Sequence, residues 1–352
     1  MTKKRNVRVI VNGYGVIGKR VADAVRLQPD MDLIGIADIA TDYRIKIAQE
    51  KGLNIFASQK ESVSDMERAG IRVAGTLEDA LKKADVVVDA TPKGIGAKNK
   101  ILYDARKIKA VFQGGESHEL TGYSFVAQVN YEGAVGKTST RCVSCNTTGL
   151  LRVLSSFAER GLVKKVRASL FRRATDPWES HRNGLVNTAV PERDIPSHQA
   201  PDVQTVIPDM EIVTIAARAP YTLSHLHTAF IEFNDVVSRD DALRILHETP
   251  RVVFVRSDEG VEGLHSTIEI VRDLGRPRAD LWEVAVWEDS LAVEGNELML
   301  VYQVHNEAIV IPENIDAIRA LSGIEPSGAA SIRKTDSALG VRSNLYGHSL
   351  PL

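Results

Sequence analysis

The chain has 352 residues, 43% of them apolar and 26% charged, with a formal net charge of −2. That is ordinary for a soluble globular protein of two domains, and it argues against a nucleic-acid arm or a polybasic membrane patch. The basic start Met1–Asn6 runs into a short strand-like segment broken by Asn12 and Gly13, unlike a signal peptide, and no run approaches the roughly 18 apolar residues of a membrane helix, so a cytoplasmic location is expected.

Val7–Val11 reads as a buried strand ending in Asn12-Gly13, and Val16–Leu27 as a helix stopped by Pro29. A strand over Asp32–Ala37 ends at Asp38, and a helix over Tyr43–Lys51 ends at Gly52. Ile71–Val73 reads as a strand. Thr76–Lys83 reads as a helix with Thr76 as cap and Glu78-Asp79 in its first turn. Asp85–Asp89 and Lys109–Phe112 are apolar strands, the second closed by the turn Gln113–Glu116. This β-α-β alternation predicts a parallel sheet covered on both faces. After Thr148 the texture changes. Gly149–Arg160 is a helix stopped by Gly161. Strand candidates follow over Lys165–Arg173, Glu211–Ala217, His225–Phe233, Arg251–Arg256, Leu281–Val286, Leu291–Val293 and Glu297–Val304, which predicts an antiparallel or mixed sheet with a few helices. Pro312–Leu321 is read as the final helix, and the tail from Ser322 as irregular.

Gly13-Tyr14-Gly15-Val16-Ile17-Gly18 fits G-x-G-x-x-G, between a predicted strand and a predicted helix, which is the context that gives the pattern meaning. Gly13 makes the turn, Gly15 lets the backbone approach a pyrophosphate, and Gly18 permits close helix–strand packing. The N–H groups near Val16 and Ile17 favour a phosphate. Asp38, about 20 residues past the last glycine, suits the adenosine ribose hydroxyls and repels a 2′-phosphate. It favours NAD over NADP, while Arg44 and Lys46 nearby pull the other way. The bland alternative is a glycine turn without a cofactor.

The only cysteines are Cys142 and Cys145, so no disulfide framework exists. Cys145 sits where a helix begins, with Ser144, Asn146, Thr147 and Thr148 offering caps. A thiol there is expected to have its pKa lowered by free N–H groups and the helix dipole, and those groups with Asn146 suit an oxyanion. A C-x-x-C redox pair, half a zinc site and two buried small residues are the alternatives. No other cysteine and no ligand-spaced histidines support a metal, and Cys142 reads as a core residue of the preceding strand. A nucleophilic thiol needs a proton carrier. His225 and His227 share one face of a predicted strand, and either suits. His198 lies in a Pro-flanked loop, open to a substrate or to solvent. Arg172 and Arg173 end a strand on opposite faces, one suited to a phosphate or the cofactor, the other to a surface acid.

Val11–Arg20, Gln113–Glu116, Val143–Thr148, Phe171–Pro177, Ile195–His198, Pro201–Val203, Ser224–Thr228, His305–Glu307 and Ile311–Arg319 together resemble the archaeal-type (type II) phosphorylating glyceraldehyde-3-phosphate dehydrogenases, over nearly the whole chain. The resemblance implies a Rossmann dinucleotide-binding domain (residues 1–143 plus 306–352) and an α+β catalytic domain with a mixed or antiparallel sheet (residues 144–305). It implies Cys145 as nucleophile and His225 as base, with His227 its rival. Ser144, Asn146, Thr147, Arg172, His198, Gln199 and His227 are implied around the substrate. Gly13, Gly15, Val16, Ile17, Gly18, Asp38, Gly115, Arg173 and Asn306 are implied around NAD or NADP. Gln199 stands where the family often has a second histidine, and Asn306 where it usually has Gln. The expected reaction takes a small phosphorylated aldehyde and inorganic phosphate through a thiohemiacetal, from which the histidine takes the hydroxyl proton, and then a thioester. The expected assembly is a homotetramer. The nearest rival readings are a semialdehyde or acyl-phosphate reductase and a non-enzymatic nucleotide-binding regulator.

Overall fold

The computed structural model describes residues 5–113 and 115–347; Gly114 of the expected turn and the extreme ends of the chain lie outside them. The chain divides into two compact units, residues 1–143 with 311–339 and residues 144–310 with 340–352.

The first unit holds strands β1 (Val7–Asn12), β2 (Met31–Asp38), β3 (Ile55–Ala57), β4 (Val73–Thr76), β5 (Val86–Asp89), β6 (Lys109–Phe112), β7 (Ser124–Phe125) and β8 (Ser139–Cys142). Between them run helices α1 (Val16–Leu27), α2 (Tyr43–Glu50), α3 (Val63–Arg68), α4 (Leu77–Leu81), α5 (Ile95–Ala105) and α6 (Ala127–Ala134). The strands form one parallel sheet in the order β4-β3-β2-β1-β5-β6-β8-β7. Strand order reverses between β1 and β5, so the carboxyl ends of those two strands border the crevice where such sheets bind ligands. Val9, Ile10, Val11, Val86, Val87 and Val88 are wholly buried, as strands covered on both faces require. Short β3 and α3 carry too few residues for a periodic signal, and β4 starts two residues later than expected. Thr76 and Asp79 close a capping box on α4.

The second unit opens with α7 (Cys145–Glu159) and adds α8 (Ser180–Asn183), α9 (Gln199–Gln204), α10 (Arg239–Glu248) and α11 (Leu264–Asp273). Its strands are β9 (Val163–Arg173), β10 (Val190–Pro191), β11 (Ile212–Ala219), β12 (His225–Phe233), β13 (Val252–Val255), β14 (Val284–Trp287), β15 (Ala292–Glu294) and β16 (Glu297–Val304). They form a mixed sheet ordered β10-β11-β9-β12-β16-β14-β13, with β15 on β16. α7 lies against β9, β14 and β16. Gly149 permits that approach, because a Cβ there would stand 2.3 Å from Val304 Cγ2. Helix α7 begins four residues before the expected Gly149, which makes Cys145 its first residue.

The chain then returns to the first unit with α12 (Ile311–Ser322) and α13 (Gly328–Leu339). The second of these corrects the expectation of an irregular tail. Its inward face carries Ser331 and Thr335, which donate to the buried Asp316 carboxylate at 2.6 and 2.5 Å. A helix that buries hydroxyls on a carboxylate shows no apolar stripe in the sequence. The final stretch departs from the expected grouping too. Leu345 packs with Val253, Leu281 and Trp287 of the second unit, and Arg342 N donates to Glu283 at 2.8 Å.

Candidate active site

Ser144 is the N-cap of α7: its hydroxyl accepts from Thr147 N at 3.2 Å. This leaves Cys145 at the first helical position, half-buried, with its Sγ 3.3 Å from His225 Nε2. Asn146 Nδ2 points to the same sulfur at 3.8 Å. Burial pushes the thiol up from its ordinary value, and the charges of Arg173 and Arg172, with the Asn146 backbone N–H, work against that rise. The expected lowering is thus corrected for this structure: the N-terminal dipole is present, but desolvation of the thiolate outweighs it.

The two histidines are distinct in role. His225 Nδ1 accepts the backbone N–H of Arg173 at 3.0 Å while Nε2 faces the sulfur. Burial, the His227 ring and the Arg173, Arg172 and His305 charges hold His225 well below the ordinary imidazole value. His227 is fully buried. Its Nε2 lies 2.9 Å from Asn146 Oδ1, and its ring meets Tyr302 edge-on at 5.0 Å. Burial pushes it down to about 3. The contact with Oδ1 holds the Asn146 amide, whose Nδ2 faces the sulfur.

The expected substrate residues separate by exposure. Thr147 is fully buried and its hydroxyl donates to Asp202 at 2.6 Å, bracing α7 against α9. Gln199 is likewise buried, accepting from Ser197 Oγ at 2.7 Å and lying 3.1 Å from His198 Nε2. His198 itself keeps 58% of its side chain in solvent. Arg172 is ion-paired with Glu192, and Arg173 with Asp176 at 2.7 Å. Both arginines keep a buried Nε–H without a hydrogen-bond partner, an unmet donor that suits an anion. Asn306 is buried, with Oδ1 accepting from Ser224 N at 2.7 Å. Its amide oxygen thus holds the residue before His225, which has a positive φ of 70°. Gln303 completes the brace, donating to Ser224 Oγ at 2.7 Å. Asp176, Asp202, Ser224 and Gln303 were not singled out as site residues from the sequence; packing brings them in, Asp202 from α9 onto Thr147, Asp176 onto Arg173, and Gln303 from β16 onto Ser224.

In the first unit the glycine turn closes as its residues require. Gly13 has φ +91°, and a Cβ there would lie 2.8 Å from Ala90 backbone. A Cβ on Gly18 would lie 1.8 Å from Gly13 O, whereas nothing stands within 4 Å of one built on Gly15. No side chain caps α1, and no acid lies in its first turn. Open space above Gly15 and an uncapped helix N-terminus fit a pyrophosphate. Asp38 has one unforeseen duty: its carboxylate accepts the backbone N–H groups of Tyr14, Ile39 and Ala40 at 2.6, 2.7 and 2.8 Å. Gly115 is exposed with φ +77°, and Glu116 beside it accepts from Gly94 N at 2.7 Å, tying the loops after β5 and β6. Cys142 ends β8, buried, with its thiol pushed far up by burial and the neighbouring Glu313 and Asp316. That argues against a C-x-x-C redox pair.

A thiol at a helix start beside a buried imidazole, in a chain whose other unit is a dinucleotide-type sheet, defines a cysteine-dependent dehydrogenase that uses a nicotinamide cofactor. Comparison with known proteins agrees. The glyceraldehyde 3-phosphate dehydrogenase C-terminal domain model matches residues 144–290, and the dihydrodipicolinate reductase N-terminus model matches residues 7–115. A glyceraldehyde-3-phosphate dehydrogenase of Metallosphaera sedula is 47% identical over 95% of this chain and 98% of its own. One from Sulfurisphaera tokodaii is 49% identical over 95% and 97%. The chain belongs to the glyceraldehyde-3-phosphate dehydrogenase family, in its archaeal type. A crystal structure of aspartate semialdehyde dehydrogenase II from Vibrio cholerae, 10% identical, superposes with a TM-score of 0.61 over 95% of this chain and 99% of that one. At that identity the likeness concerns the fold.

Proposed function

We propose that this chain oxidises D-glyceraldehyde 3-phosphate to 1,3-bisphosphoglycerate, with NAD(P) as hydride acceptor and inorganic phosphate as acyl acceptor. The observation that carries the reading is the 3.3 Å approach of His225 Nε2 to Cys145 Sγ at the start of α7. Cys145 adds to the aldehyde carbon, with the Asn146 amide and His225 around the new oxygen. Bound NAD(P) supplies the hydride acceptor. Loss of hydride leaves a thioester on Cys145, and phosphate oxygen attacks its carbonyl, expelling the thiolate and releasing the acyl phosphate. A thiol suits both halves, since it adds well and leaves well. The unpartnered Nε–H groups of Arg172 and Arg173, with exposed His198 near Glu192, are the proposed anion ligands for the substrate phosphate and the attacking phosphate.

For the cofactor, Gly13, Gly15, Val16, Ile17 and Gly18 hold the pyrophosphate through the backbone. Asp38 faces the adenosine ribose with the acceptor capacity its three backbone bonds leave, and Gly115 lines the same end of the sheet. NAD is the preferred form: Asp38 repels a 2′-phosphate, and Arg44 is held bidentate by Asp42, with Nη2 2.6 Å from Oδ2. The enzyme works in the cytoplasm as a homotetramer. Exposed Val213, Ile215 and Phe230 on the outer face of the second sheet supply apolar area for self-association.

The test is NAD(P)H formation against a panel of aldehydes with and without phosphate. Glyceraldehyde 3-phosphate with phosphate is expected to give turnover far above any semialdehyde. Equal or better turnover of an amino-acid semialdehyde, or bound nucleotide with no turnover at all, contradicts the reading.

A further inference from the structure

We propose that Asp89 is a positioning residue for the dinucleotide: its carboxylate, at the carboxyl end of β5, holds the Thr91 segment against the glycine turn and seats helix α5. Asn12 and Asp89 end β1 and β5 and stand opposite each other in the register of those strands. Strand order reverses there, so both lie under the crevice. Each is only 1% exposed. Asp89 Oδ1 accepts from Thr91 N at 3.1 Å and from Thr91 Oγ1 at 2.5 Å. Its Oδ2 accepts from Asn99 Nδ2 at 2.8 Å and from Tyr103 Oη at 2.7 Å. Asn99 and Tyr103 lie one turn apart on α5. One carboxylate therefore fixes both the loop after β5 and the helix that follows it.

The bonds continue beneath the glycine turn. Tyr103 Oη accepts from Asn12 Nδ2 at 2.9 Å, and Asn12 Oδ1 accepts from Ser58 Oγ at 2.7 Å. Ser58, just past β3, donates its N–H to Asp38 O at 2.9 Å. Burial and the Asp89 charge push the Tyr103 phenol well above its ordinary value, so the hydroxyl keeps the proton it donates. The fit above this floor is close. A Cβ on Gly13 would lie 2.9 Å from Thr91 N, the same N–H that Asp89 holds. A shift of the Thr91 segment is thus a shift in the wall of the turn.

The four donors on Asp89 are all neutral. A buried carboxylate without a basic partner is costly. Its advantage over an amide of the same shape is acceptor capacity, two oxygens with about four lone-pair sites against the single oxygen of Asn. An Asn here would set its own NH2 against donors that now end on Oδ1 or Oδ2. A fully satisfied buried network of this kind is rigid, and rigidity is what a backbone-built phosphate site needs from its support.

The inference rests on that crevice being the dinucleotide site. In the full-length enzyme, Asp89→Asn is expected to raise the Kd of NAD about 10- to 100-fold. The KM for NAD should rise with it, while kcat at saturating NAD stays within about twofold of wild type. Alkylation of Cys145 by iodoacetamide without nucleotide should be unchanged. Tyr103→Phe removes one donor and adds no bulk, and is expected to raise the Kd about three- to tenfold; should Asp89→Asn not fold, it decides alone. A lower melting temperature with an unchanged Kd is the result of a merely structural Asp89, and it would overturn the proposal. So would a kcat at saturation that falls as far as the affinity. Failure of the underlying reading looks different: the wild-type chain would then bind no NAD, or a folded Gly18→Ala would bind it as well as wild type.

Discussion

The glycine turn of the first unit and the thiol cluster of the second solve the binding problem in opposite ways. The turn is made of backbone, from residues within a span of six, and its chemistry is set by what side chains are missing: no Cβ over Gly15, no cap on α1. The cluster is made of side chains from α7, β12 and the segment after β16, held by hydrogen bonds to one another and to the main-chain N–H groups of Arg173 and Ser224. A backbone site tolerates change in its neighbours and no added atom at its glycines. A side-chain site tolerates small steric changes and no broken hydrogen bond.

The sharpest way to break this contrast is Gly18→Ala. The added carbon would collide with Gly13 O, and the strain is expected to cost about 3 kcal/mol and abolish nucleotide binding. Chemical denaturation and a nucleotide titration check it; a stable variant that binds normally would show that the turn is not fixed by backbone approach. Next in size is Asn146→Ala, which removes an amide aimed at sulfur without adding bulk. It is expected to lower kcat by about 10²-fold with folding intact. A kcat near wild type would remove Asn146 from the oxyanion role.

That comparison also explains what the sequence made legible. The G-x-G-x-x-G turn, β1, α1 and the start of the second unit were readable because spacing and composition are local signals. The side-chain site was readable by residue type: Cys145 at a helix start and His225 on a strand. Its wiring was not. That Thr147 serves Asp202, that Gln199 serves Ser197 and that Asn306 holds Ser224 follow only from packing between distant segments. Helix α13 escaped for a related reason, since its buried face is partly hydroxyl. The resemblance to a family supplied roles, and the structure adds the buried hydrogen bonds that His227, Thr147, Gln199 and Asn306 make.

The smallest effect concerns acid. His227 is held neutral, pushed down to about 3 from 6.5, and His225 is shifted in the same direction. The unfolded chain therefore binds more protons than the folded one below pH 6.5, so this stability is full above that pH and is lost as pH falls towards 3. For His227 alone the loss is about 2 kcal/mol near pH 5. Denaturant midpoints at pH 7.5 and 5 should show a shallower acid loss in His227→Gln, which keeps a donor for Asn146 but does not titrate. An identical acid loss in both proteins would place the effect elsewhere.

The most direct test of the thioester route is mass spectrometry of the enzyme mixed with glyceraldehyde 3-phosphate and NAD(P) without inorganic phosphate. The account predicts a phosphoglyceryl adduct that fragmentation of the peptide holding both cysteines places on Cys145 and not on Cys142, and its discharge when phosphate is added. An enzyme that reduces NAD(P) with no adduct on Cys145, or with the adduct on another residue, would contradict it.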